Sequence, residues 1–160
     1  MITFGIVGIK GLGLGGRGAV SSTATIEGAI YSLITQDADV LAIVSTRVYP
    51  SIVLQGASMP AVTYQQITGQ RDSSMSGASG VVESTFQINC WAETYSESDE
   101  LANAVRLALN CYAGTVGNCE IYSVDLVSET DTAEQTAGAD VSRRYGKLQD
   151  YVIWFGEATS

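Results

Sequence analysis

The stretch Val81 to Ala92, VVESTFQINCWA, limits the fold more than any other part of the chain. Phe86, Ile88 and Cys90 alternate with Gln87, Asn89 and Trp91, and a period of two predicts a β-strand with unlike faces. A helix follows almost at once. Ser96 and Asp99 stand at the spacing of a capping box. Leu101, Val105, Leu109 and Tyr112 then form an apolar stripe with Ala102, Ala104 and Ala108 beside it, and Gly114 is the expected stop.

The remaining elements are read in the same way. Ile26, Ile30, Leu33 and Ile34 recur at helical intervals, which predicts a short amphipathic helix from about Thr25 to Gln36. Asp37 breaks it, and DADVLAIVS adds a helical turn or two with Asp37 or Asp39 as cap. RVYP (Arg47 to Pro50) reads as a short strand closed by proline, and MPAVTYQQIT (Met59 to Thr68) as a second strand. GQRDSSMSGASG (Gly69 to Gly80) is expected to be a long Gly/Ser-rich loop. CEIYSVDLV (Cys119 to Val127) is a strand, Ser128 to about Arg144 a polar loop, and LQDYVIWFG (Leu148 to Gly156) the last strand. The order helix, strands, helix, strands gives an α+β class: a mostly antiparallel sheet packed with two main helices in a single domain.

Before the first helix lies GIKGLGLGGRG (Gly8 to Gly18), in which Gly11, Gly13 and Gly16 fit G-x-G-x-x-G. A dinucleotide loop needs a helix opening inside the glycines and a second strand ending in an acid about 20 residues on. AVSSTAT follows instead, and Asp37 and Asp39 precede an apolar run rather than ending one. The βαβ unit is missing, so residues 1–24 read as a Gly-rich N-terminal arm and 25–160 as the domain.

Charge and cysteine usage narrow the function. The net charge of −9 lacks the basic stripe of a nucleic-acid reader. With no histidine, Ser-His and Cys-His nucleophile pairs are impossible. The paired acids of ESDE (Glu97 to Glu100) sit where a helix begins and meet its dipole. Cys90, Cys111 and Cys119 lack metal-ligand spacing, and Cys90 and Cys111 read as small buried apolar residues. No apolar run is long enough to span a membrane and a signal peptide fits poorly, so the expected setting is a cell interior or a particle assembled there.

RVYP, MPAVTYQQI, FQINCWAETYSESDELANAVRLAL and DYVIWF, in this order and at these separations, resemble the tail terminator (tail completion) proteins of long-tailed bacteriophages. The match is densest from Cys90-Trp91-Ala92 through Tyr95 and the helix Leu101 to Leu109. The arm and the acidic segment Ser128 to Arg144 depart from the family pattern. The resemblance implies a small α+β subunit of a hexameric ring in the virion neck. Such a ring caps the tail tube and receives the head through a connector or stopper protein, with DNA passing through. It implies no reaction, no cofactor and no membrane. Two other readings are a different neck or head-completion protein with a similar core, and a nucleotide-binding enzyme using the glycine loop.

Within that frame, Gly11, Gly13 and Gly16 of the arm and Arg71, Asp72 and Met75 of the loop are expected at interfaces. Some of Glu120, Asp125, Glu129, Asp131, Glu134 and Asp140, a run without an intervening base, are expected to face the channel; the competing reading is that they only solvate the outer surface. An acidic wall repels DNA over about 8 Å at physiological salt, whereas a basic one would hold it.

Overall fold

The computed structural model describes residues 25–74, 77–135 and 142–157. Two helices come first, α1 (Ile26–Gln36) and α2 (Ala38–Val44). Thr25 caps α1 by accepting from the Gly28 N–H. Asp37 ends α1 and caps α2, accepting from the Asp39 and Val40 N–H groups at 3.0 and 3.1 Å. One acid thus serves two helices, as its type and position suggest.

Strands β1 (Val48–Pro50), β2 (Ala61–Ser74) and β3 (Gly77–Ala92) follow, then α3 (Tyr95–Leu109), β4 (Gly114–Val116), β5 (Cys119–Gln135) and β6 (Arg143–Gly156). They build one six-stranded sheet in the order β1-β2-β3-β6-β5-β4. β1 runs parallel to β2, and the four other pairings are antiparallel. The expected mostly antiparallel sheet with two main helices is therefore corrected to a mixed sheet with three helices, richer in strand than in helix. The parallel pair arises because the chain leaves β1 and returns through residues 51–60 before entering β2, instead of turning tightly.

Both expected loops are corrected as well. β2 continues to Ser74 and β3 begins at Gly77, so Gly69 to Gly80 is the end of a hairpin. β5 continues to Gln135 and pairs with β6 as far as Arg143, so most of Ser128 to Arg144 is strand. The α3 cap is Thr94, whose hydroxyl accepts from the Glu97 N–H, and not Ser96. The helix stops at Asn110, while Gly114, at φ +153°, opens β4.

The register sorts side chains onto two faces. Val62, Phe86, Ile88, Cys90, Tyr151, Ile153 and Phe155 lie on the face that the helices cover, in one core with Ile30, Ile34, Leu101, Val105 and Leu109. Burying each such side chain contributes about 1.5–3 kcal/mol. Cys111 is exposed at φ +65°, which corrects the expectation that it is buried. On the helix-free face the Trp91 ring and the Thr132 methyl both close on Gly146. A Cβ on Gly146 would come within 2.7 Å of the ring. Trp91 and its neighbours Cys90 and Ala92 thus serve opposite faces of one strand.

Candidate assembly surfaces

The helix face carries one polar cluster at its margin. Lys147, next to Gly146 in β6, is 8% exposed. Its ammonium donates to Asp99 of α3 at 2.6 Å and lies 3.3 Å from Asp131 and 4.0 Å from Glu129 of β5. Tyr95 donates its hydroxyl to Asp131 at 3.0 Å, and its ring lies 5.7 Å from the ammonium. The hydrogen bond to Asp99 does most to hold the Lys147 pKa above the usual lysine value, against the opposing effect of burial. Its carboxylate partners remain partly open to water, so the cluster ties α3 to β5 and β6 without trapping unpaired charge.

Gln149 continues this row inward and is fully buried. Its amide nitrogen donates to the Ala102 carbonyl of α3 at 2.9 Å and to Glu129 at 2.7 Å, while its oxygen accepts from the Tyr151 hydroxyl at 3.0 Å. Gln149→Leu keeps the volume but strands the Tyr151 hydroxyl without its acceptor. The expected loss is about 1–3 kcal/mol, the cost of an unsatisfied buried polar group. Urea unfolding reads it as a lower midpoint at unchanged slope.

The helix-free face has another character. Gln65 donates to Gln87 at 3.2 Å, and Gln87 to Asp150 at 3.0 Å, a polar ladder across β2, β3 and β6. Register places Glu83, Glu120, Asp125 and Glu134 on this face as well. Arg144 faces Glu134 across β5 and β6. A shallow cleft of about 340 Å³ opens there between Ile52, Thr63, Asn89, Trp91, Glu134 and Arg144.

The acids expected together are therefore split. Glu120, Asp125 and Glu134 lie on the helix-free face, whereas Glu129 and Asp131 turn to the helix face and bind Gln149, Lys147 and Tyr95. Two irregularities of β5, at Tyr122 and Val127, set this split, since each adds a residue to the alternation. Arg71 and Asp72 are exposed near the β2–β3 tip. Arg71 donates to both carboxylate oxygens of Glu157, at 2.7 and 3.0 Å, which ties the hairpin base to the end of β6. Gly11, Gly13, Gly16, Met75 and Asp140 lie outside the described residues. Among the described residues no group of three or more His, Cys, Asp or Glu side chains is placed to hold a metal.

Lys147 and Gln149 were missed by sequence reasoning. The signal was present: Tyr151, Ile153 and Phe155 alternate, and stepping back by twos reaches Gln149 and Lys147 on the buried face.

The model of the family described as tail completion protein gp17 matches residues 28–145, which takes in most of α1, all of α2 and α3, and strands β1 to β5. The chain belongs to that family. This tail completion protein is a structural protein of a bacteriophage-type virion. A chain of a solved structure titled "Virion of native gene transfer agent (GTA) particle" shares its fold at a TM-score of 0.63. The two are 19% identical, over 86% of this chain and 98% of that one. No curated protein sequence matches.

Proposed function

We propose that this tail completion protein is the terminator subunit of a phage-like tail. Copies form a ring of six that closes the tail tube and joins it to a head connector or stopper protein, with DNA passing through the centre. The observation that carries the reading is the family match over residues 28–145, most of the α+β core. The helix-free face adds physical support, because register places the acids Glu83, Glu120, Asp125, Glu134 and Asp150 there and, among the described strand residues, the single arginine Arg144. Turned to the lumen, that face repels the phosphate backbone and lets it slide. Glu129 and Asp131, engaged with Lys147, are withdrawn from the channel set, which becomes Glu120, Asp125 and Glu134.

Residues 1–24 are the assembly arm in this reading. The domain in this reading is residues 25–160, and the Thr25 cap of α1 is compatible with that start. The β2–β3 tip, with Arg71, Asp72 and Met75, is the part that meets the tube or connector.

Native mass spectrometry of the full chain, alone and with tail tubes, tests the ring. Six-fold species are expected, and monomers under both conditions overturn the reading. Changing Glu120, Asp125 and Glu134 together to lysine is expected to leave particles intact and slow DNA ejection. Unchanged ejection places these carboxylates off the channel.

A further inference from the structure

Among the described residues the sheet is left open on both sides, over stretches of similar length. On one side β1 covers β2 only from Val62 to Tyr64, and the Ser51 N–H takes the Tyr64 carbonyl. Among the described residues, no strand covers the outer edge of β2 from residue 65 to 74. There the Gln66 amide donates to the Thr68 carbonyl. On the other side β4 covers β5 only from Cys119 to Ile121. The Cys111 N–H takes the Val124 carbonyl, and Asn110 takes the Leu126 N–H. From residue 127 to 135 no strand covers that edge among the described residues. Rows of unpaired backbone groups of this length are templates for another strand. Ile67 and Val127, both at register irregularities, are exposed where the two uncovered edges begin.

We propose that neighbouring copies of this chain join at these edges, β5 of one adding antiparallel to β2 of the next. The inference rests on the ring reading and names its contact. Strand direction allows it. β2 and β5 run in opposite senses within the sheet, so rotation about an axis along the strands sets one against the other antiparallel. The caps fix the register. With Ile67 bulged out of the pairing, Glu134 can rise no further than Gln65 before meeting β1, and Val127 then faces Ser73 near the hairpin tip. In this register Thr130 faces Gln70, and Glu129 faces Arg71 on the helix side of both strands.

Geometry and charge agree with it. Gln65 stands level with Ser128 in one copy, through Gln87 and Asp150. Bringing Glu134 there slides the neighbour by six residues, about 20 Å, across four strand spacings of about 19 Å. The strands then incline at about 47°, near the 35–45° found in closed sheets. The contact is heterologous, as a ring requires. β5 against β5, centred on Thr130, would instead oppose Glu129 with Asp131 on one face, which disfavours a two-fold dimer through that edge.

Cysteine cross-linking of the full chain tests the pairing. Directly opposed residues lie about 4.5–5.5 Å apart at Cα, within disulfide reach. Gln70→Cys with Thr130→Cys, in a Cys111→Ser background, is expected to give a ladder of covalent oligomers on oxidation, while each single variant stays monomeric on a denaturing gel. Circular dichroism of the reduced double variant checks that it folds as the parent does. A second pair, Thr68→Cys with Thr132→Cys, guards against a fault peculiar to one site. Rings by native mass without cross-links from either pair overturn the edge pairing and leave the ring standing. Cross-links from Thr130→Cys alone overturn it in favour of a β5–β5 contact. A chain that is monomeric by native mass sinks the ring and the pairing together.

Discussion

Shifted from pH 8 to pH 11, the protein is expected to lose about 4 kcal/mol of stability through two buried side chains alone. Burial holds the Cys90 thiol and the Tyr151 hydroxyl protonated well above their ordinary values of 9.0 and 10.0. Both folded pKa values are raised. The stabilising contribution is therefore complete below the unfolded value and drains away as the pH climbs. Each group removes about 1.4 kcal/mol per pH unit once the medium passes its ordinary value. Lys147, whose pKa is also raised, acts in the same direction above 10.5. Without histidine, no side chain has its ordinary titration near pH 6.5, so a nearly level stretch through neutrality should precede the fall. Urea midpoints between pH 6 and pH 11 give the profile. Constant midpoints up to pH 11 would mean that water reaches Cys90 and Tyr151.

The second large effect is expected from Phe86→Ala, a loss of about 3–5 kcal/mol. Phe86 is completely buried on β3, with Gln66 of β2 on one side and Tyr151 of β6 on the other. Backbone pairing along both edges keeps β3 from sagging into the space left by the ring. Much of the cavity should therefore persist. Natural domains have about 5–15 kcal/mol in all, so the variant should unfold at a much lower urea concentration with its slope unchanged. A shift below about 1 kcal/mol would show that the helices close over the gap.

What the sequence made legible follows from where periodicity is strong. α1, α3 and the centre of β3 bury one continuous stripe or face, and their apolar residues recur at the intervals that packing demands. The outer halves of β2 and β5 carry no such record. Residues 69–74 and 128–135 are mostly polar and exposed, so neither face supplies a hydrophobic period. They are strands because backbone pairing with β3 and β6 holds them. The α3 cap shows a different limit. Thr94 with Glu97 and Ser96 with Asp99 both satisfy the capping spacing, and the end of β3 at Ala92 selects the first. For the surface acids, alternation alone would set Asp125 with Glu129 and Asp131. The register irregularity at Val127 moves it to the opposite face, and pairing partners far along the chain determine where such irregularities fall.

Trp91 and Trp154, the two tryptophans of the chain, both lie on the helix-free face. Trp91 is seated on Gly146, and Trp154 is 38% exposed. Intrinsic fluorescence therefore reports on one side of the sheet. A molecule sliding across that side, or a neighbour that changes its hydration, alters the emission directly. Rearrangements around Lys147 and α3 reach the indoles only by bending the strands between them. The protein thus carries its own optical label on the surface proposed to line the channel, and contact with that surface can be followed without attaching a dye.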